Sequence, residues 1–116
     1  MSDQPLSALE RAMERIAKEC HAAALMAFDA AAQRLVDSNW LYRDTASRAL
    51  NIDFGDVFKM NDADIRARAE ERAASERKRI NHYSHNRPRY LACLELAEAA
   101  KRRMEKRAAP AEEIAA

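Results

Sequence analysis

The residues best suited to chemistry in this sequence lie in the segment 77–90, RKRINHYSHNRPRY. This segment carries five arginines and lysines, two histidines and two tyrosines, and it contains no acidic residue. Cationic side chains beside aromatic rings are typical of surfaces that hold phosphates and stack on bases. The segment therefore predicts a contact with nucleic acid or with an acidic partner, through Arg77, Lys78, Arg79, His82, Tyr83, His85, Arg87, Arg89 and Tyr90.

The same segment also fits a purely structural interpretation. Arg77, Lys78 and Arg79 fall in the last turns of a predicted helix, where cations stabilise the negative end of the helix dipole. The whole chain has a net charge of only +1, whereas nucleic-acid-binding domains are usually strongly basic. The sequence therefore leaves three alternatives for this segment: it contacts nucleic acid, it contacts an acidic protein, or it is only solvated.

Metal binding and catalysis find little support in the sequence. His82 and His85 are spaced closely enough to share a metal ion, but no cysteine or carboxylate beside them completes a set of ligands. The single glycine, Gly55, cannot build a phosphate-binding loop or a nucleophile elbow, each of which needs at least two glycines. We therefore predict a protein that is not an enzyme, with no cofactor, no metal and no small-molecule substrate.

The elements that position these residues are predicted to be helices throughout. The chain has 116 residues, 26 of them alanine, with only three prolines, and good helix formers dominate it. Ser7 and Glu10 form a capping-box pattern, which predicts that a helix of up to 30 residues begins there. Its apolar stripe is spaced by three and four residues, as on one helix face: Leu9, Met13, Ile16, Cys20, Ala23, Ala24, Ala27, Ala31 and Leu35.

Residues 39–60 form a shorter segment that is rich in large apolar side chains. We expect short helices around Asp44–Leu50 and Gly55–Met60, packed as a plug across the long helices. The apolar spacing faintly resembles a helix-turn-helix with its turn at Asn51. The second helix would carry Asp53 and Asp56, which repel phosphate, so a core plug is the favoured interpretation.

Two further long helices are predicted to form an antiparallel hairpin, with the basic segment at its turn. The first is capped by Asn61 or Asp62 and ends near Tyr83, with its stripe at Ile65, Ala69, Ala73, Ile80 and Tyr83. The second begins at Pro88 or Arg89, with its stripe at Tyr90, Cys93, Leu94, Ala97, Ala100 and Met104. Glu76 interrupts the first stripe, and we expect it to have a partner from another helix or subunit, because an unpaired buried carboxylate is costly.

The apolar stripes are thin, and this favours self-association. Leu, Ile, Val and Phe together make up only 19 residues, so an isolated monomer would have a weak core. We expect a two-fold homodimer through the alanine-rich long helix, at Ala24, Ala27, Ala31 and Leu35. The only cysteines, Cys20 and Cys93, lie on the stripes and are predicted to be buried thiols.

These observations predict an all-α protein with a single helical domain over residues 1–108 and a frayed tail over 109–116. No signal peptide or membrane span is apparent in the sequence, so we expect a cytoplasmic location. The leading functional hypothesis is a non-catalytic, regulatory interaction protein that acts at nucleic acid, or on a complex that handles nucleic acid, through the basic hairpin tip. The alternative is a pure protein–protein module, such as a small adaptor or a phage-type inhibitor, that docks a helix face on a larger partner.

Overall fold

Helices account for nearly all of the chain that the structure describes. This computed structural model describes residues 7–79 and 87–115, and it gives the side chains of all of these except 87 and 109–115. The helices in these ranges are α1 (Ala8–Asp37), α2 (Asn39–Leu50), α3 (Phe54–Val57), α4 (Asp62–Arg77) and α5 (Arg87–Ala115). No β-strand occurs in the described ranges, and the prediction of an all-α fold is confirmed.

By its internal contacts the chain divides into two units, residues 1–30 and residues 31–116. The described part of the first unit is the beginning of α1. The predicted capping box is present there, because Glu10 N donates to Ser7 Oγ at 3.1 Å and Ser7 N donates to the Glu10 carboxylate at 3.2 Å. The prediction of one domain over 1–108, with a frayed tail after it, stays a prediction.

Most described side chains of the first unit are exposed, since a single helix cannot bury its own faces. Only Ala12 and Phe28 are partly covered. The apolar stripe at Leu9, Met13 and Ile16 is therefore open. Cys20 is exposed as well, so the prediction of a buried thiol at this position is wrong for the single chain.

The second unit contains a core that is built from all five helices. Among the described residues of this unit, seven of the fourteen buried apolar residues are alanines, so the helix backbones approach one another closely. The buried apolar residues are Ala32, Leu35, Val36, Tyr42, Ala46, Ala49, Val57, Ile65, Ala69, Ala73, Cys93, Leu96, Ala99 and Ala100. Cys93 is buried as predicted. Leu96 and Ala99 were not part of the predicted stripe of α5, whereas Leu94 and Ala97 in that stripe are only partly buried.

Helices α4 and α5 form the predicted antiparallel hairpin. Asp62 at the start of α4 pairs with Arg103 and Arg107 late in α5, while Arg77 at the end of α4 lies beside Tyr90 early in α5. Helix α4 ends at Arg77, six residues before the predicted end at Tyr83; Ile80 and Tyr83 of its predicted stripe lie outside the described residues.

Helix α5 begins at Arg87, so Pro88 occupies its first turn. A proline is tolerated there because the first backbone N–H groups of a helix have no intrahelical acceptor.

The insert contains two capped helices, α2 and α3. Ser38 caps α2 by accepting from Leu41 N, and Asn51 ends it in the left-handed conformation at φ 55°. Asp53 then caps α3, which has only four residues and is too short to serve as a DNA-recognition helix. The insert buries Tyr42 and Val57 as a plug, but it leaves three other aromatic side chains outside the core, Trp40, Phe54 and Phe58.

The different surroundings of the two cysteines generate a prediction about thiol labelling. Burial raises the pKa of the Cys93 thiol, with a further rise from Glu76 that the nearby Arg72 and Arg89 oppose. A thiol reagent reacts with the thiolate, so it should label Cys20 rapidly in dilute native protein and label Cys93 only when the protein unfolds. Mass spectrometry of digested, partially labelled protein measures both rates. Equal rates for the two thiols would contradict the core assignment.

Candidate functional site

The described part of the basic segment lies at one end of the α4–α5 hairpin. Arg77, Lys78, Arg79 and Arg89 are exposed there, and Tyr90 is half-buried. His82, Tyr83 and His85 lie outside the described residues, and Arg87 is described only as the first residue of α5.

A shallow groove beside this end of the hairpin brings together one cationic and one aromatic residue of the predicted binding segment. Arg77 and Tyr90 line it, along with Glu70, Ala73, Ala74, Leu94 and Ala97. The groove thus offers an aromatic side chain next to a guanidinium, on a wall that is otherwise mostly apolar. The remaining described cations of the segment do not line it.

The residues predicted to mediate self-association divide between the two units. Ala24 and Ala27 are exposed on α1 in the first unit. Ala31 is partly buried and Leu35 is buried in the core of the second unit, in one cluster with Val36, Tyr42 and Leu96. Leu35 is therefore occupied by intramolecular packing. The open large apolar side chains of α1 lie earlier, at Leu9, Met13, Ile16, Leu25 and Met26, of which the first three belong to the predicted stripe.

A buried ion-pair cluster, which the sequence analysis did not anticipate, lies in the second unit. The Asp62 side chain is only 1% exposed. It forms an ion pair with Arg107, and its Oδ1 lies 3.5 Å from Nε of Arg103, which is long for a hydrogen bond but close enough for strong attraction. Two arginines of α5 thus neutralise a carboxylate that α4 places in the interior.

Arg103 is held by several other groups. It donates to the backbone oxygen of Val36 at 3.2 Å and to Oδ1 of Asn39 at 2.8 Å. Its guanidinium carbon lies 4.3 Å from the centre of the Tyr42 ring, which is a cation–π distance. The side chain therefore connects the end of α1 with α2, α4 and its own helix.

Tyr42 and Arg43 extend this cluster toward the insert. Burial raises the pKa of Tyr42, although Arg103, Arg43 and Arg107 each act to lower it. Arg43 donates to the backbone oxygens of Val57 at 3.1 Å and Met60 at 2.7 Å. Burial lowers the pKa of Arg43, but a guanidinium stays protonated in proteins, so the Arg43 cation fixes the loop after α3.

Sequence reasoning missed this cluster because Asn61 and Asp62 looked equally able to cap α4. The structure assigns the cap to Asn61, whose side chain accepts from Asp64 N at 2.8 Å. Asp62 is then the first residue of the helix, and its side chain is buried against α5. The only available signal was the run of cations at residues 101–107, KRRMEKR, which lies inside α5 and is therefore not explained by the dipole at a helix end.

Glu76 is buried, as its place in the apolar stripe predicted, but its partner is on its own helix. Nε of Arg72 lies 3.1 Å from Oε1 of Glu76, and the two residues are one turn apart on α4. The expectation of a partner from another helix or subunit is therefore wrong for the single chain. Oε2 of Glu76 is buried without a hydrogen-bond partner among the described residues.

Three aromatic rings form an exposed cluster on the insert. The ring centres of Trp40 and Phe54 are 6.5 Å apart, and those of Phe54 and Phe58 are 4.9 Å apart in an edge-on arrangement. Arg43 lies over the Phe58 ring at 5.9 Å. These contacts hold the rings together, while each of the three residues keeps a substantial exposed surface.

The described residues hold no group of three or more histidine, cysteine or acidic side chains placed to bind a metal ion. Among the same residues, none of the helices has both the length and the apolar character that crossing a bilayer requires. Comparison with known protein families, curated proteins and solved structures found no match to this chain.

The Asp62 cluster generates a prediction about stability. Asp62→Asn removes the negative charge and leaves the largely buried Arg103 without its counter-ion, so the free energy of unfolding should fall by about 3–5 kcal/mol. Urea denaturation followed by circular dichroism measures this change.

The matched control for this measurement is Asp64→Asn. Asp64 also lies in the first turn of α4 but is exposed, so the same substitution should cost only about 0.3–1 kcal/mol of helix-dipole stabilisation. Equal losses in the two variants would mean that the Asp62 ion pairs do not stabilise the fold.

Proposed function

We propose that this chain is a non-catalytic interaction protein that docks the N-terminal part of α1 on a helix of another protein molecule. The observation that carries the proposal is the exposure of Leu9, Met13 and Ile16, which are 70%, 60% and 57% accessible in the single chain. Their spacing of four and three residues places them on one face of α1.

An amphipathic helix with such anchors is the usual means by which one helix recognises another or enters an apolar groove. Four of the five positions between the anchors are charged, Glu10, Arg11, Glu14 and Arg15, and the fifth is Ala12. Over residues 9–16, one face of the helix therefore favours water and the other favours an apolar partner. Exposed single apolar residues are common on protein surfaces, but a regular stripe of three large ones is not.

The exposed aromatic cluster on the insert adds to the case for an interaction protein. Trp40, Phe54 and Phe58 are large rings of the kind that anchor protein–protein interfaces. Regulation or inhibition of a larger partner, as by an adaptor or a small inhibitor protein, is the class of function that such surfaces suit. A cytoplasmic location belongs to the same proposal.

A contact with nucleic acid, or with a complex that handles it, is a second candidate function. The observation that favours it is the gathering of Arg77, Lys78, Arg79 and Arg89 at one end of the hairpin, with Tyr90 beside Arg77. Four exposed cations and an aromatic side chain suit a phosphate backbone and a stacked base. This surface shares no residue with the apolar stripe, so each can be tested by its own substitutions.

The docking proposal predicts that one carboxylate in the stripe abolishes binding. Ile16→Glu should remove the captured partner when the tagged chain is purified from its own cells, because a charge at a docked apolar position must be desolvated. Ala22→Glu is the matched control: it adds the same charge at an exposed position of α1 outside the stripe, and it should keep the partner. Retention of the same partner by Ile16→Glu would contradict the proposal.

The second candidate predicts a salt-dependent contact through the hairpin tip. The double variant Arg79→Glu and Arg89→Glu should melt close to the unaltered protein, because both side chains are exposed and exposed charges contribute only about 0–1 kcal/mol per pair to stability. It should lose binding to a labelled oligonucleotide, and each lost phosphate contact should lower the log–log salt slope by about one. A folded double variant that binds with unchanged affinity would exclude this surface.

A further inference from the structure

We infer that the occupant of the apolar face of α1 is a second copy of this chain, with the two α1 helices packed antiparallel along Leu9–Ala27. This inference rests on the proposed function, and it names the partner of the same docking surface. Two features of the described helix carry it: the spacing of its apolar positions and the order of their sizes.

The spacing is that of a coiled-coil seam. Six exposed apolar positions on α1 are separated alternately by four and three residues: Leu9, Met13, Ile16, Cys20, Ala23 and Ala27. This alternation defines the core positions of a heptad repeat, and another helix with the same repeat packs against such a seam with its side chains interdigitated. The seam is about 27 Å long at the rise of an α-helix, and a second copy supplies a surface of equal length and period.

The order of sizes selects the antiparallel arrangement. The first three positions of the seam, Leu9, Met13 and Ile16, are large, and the last three, Cys20, Ala23 and Ala27, are small. When the second helix runs in the opposite direction, Ile16 faces Cys20 of the other copy, Met13 faces Ala23 and Leu9 faces Ala27. Each layer then pairs one large with one small side chain, which keeps the helix separation constant along the seam.

A parallel arrangement of the same two helices packs less evenly. Leucine, methionine and isoleucine would each face themselves in one half of the seam, and cysteine and alanine would face themselves in the other half. The two halves would then require different separations of the helix axes. The antiparallel pair also places each helix's positive end beside the other's negative end, which the helix dipoles favour.

The charges that border the seam do not select this register. On one border, Glu10 lies opposite Ala24 of the other copy and Ala17 lies opposite Ala17, so this border carries no like-charge pair. On the other border, Glu19 lies opposite Glu19 of the other copy at the two-fold axis, which is a like-charge pair. Arg15 lies one helical turn before Glu19 on the same helix, and it offsets part of this repulsion.

The first test is the molar mass in solution. Sedimentation equilibrium at micromolar to hundred-micromolar concentration should show a reversible change from the chain mass of 13.2 kDa to twice that value. Ile16→Glu should raise the dissociation constant by at least about tenfold, since the carboxylate would lie in a central layer. The matched Ala22→Glu variant should associate like the unaltered chain.

The second test is the orientation. In a Cys20→Ala background, the double variant Leu9→Cys and Ala27→Cys should form a disulfide-linked dimer on mild oxidation, because residues 9 and 27 meet across the antiparallel pair. Each of the two single cysteine variants should stay uncrosslinked, since the same residue in two antiparallel copies is far apart. The buried Cys93 does not compete for the oxidant.

Each outcome decides the inference. A chain that stays monomeric over the whole concentration range overturns it, as does a dimer that Ile16→Glu leaves intact. Crosslinking by the single variants shows a parallel pair and also overturns it. Loss of a captured partner from Ile16→Glu in a strictly monomeric chain would leave the proposed docking function standing and refute only the second copy as occupant.

Discussion

The pairing of the buried Asp62 carboxylate with Arg103 and Arg107 is the interaction on which the second unit depends. Among its described residues the core of that unit is half alanine, and alanine side chains fix the positions of helices poorly because they interdigitate little. Arg103 adds specificity, since it contacts the end of α1, the start of α2, the Tyr42 ring and the first residue of α4. Its hydrogen bonds to Val36 and Asn39 are directional, and its attraction to the Asp62 carboxylate adds to them, so together these contacts favour one arrangement of the four helices.

An alanine-rich core has a consequence for the surface. The chain buries few large apolar side chains, and several that it does contain lie outside: Trp40, Phe54 and Phe58 on the insert, and Leu9, Met13 and Ile16 on α1. A small protein that keeps such residues exposed gains little stability from them alone. Their free energy of burial becomes available when another molecule covers them, which is why docking on a helix is the proposed function.

Several helix ends were predictable from local signals, because caps act over a few residues, but α2 begins at Asn39 and not near the predicted Asp44. Ser7 with Glu10, Asn51 and Asn61 mark helix ends in the sequence as they do in the structure. The burial of Asp62 was not predictable, since it depends on cations some forty residues later in the chain. The predictions for Cys20 and Glu76 were wrong for a related reason. An apolar stripe shows which face of a helix is apolar, but it does not show which neighbour covers that face.

The claim that the apolar face of α1 is covered by another copy is tested most directly by amide hydrogen exchange at two protein concentrations. An isolated helix without tertiary packing is marginally stable in water, so the amides of residues 9–27 should exchange rapidly in dilute solution. They should become protected at high concentration, while the core amides of α2, α4 and α5 exchange equally slowly in both samples. Exchange of residues 9–27 that is independent of concentration would contradict the claim.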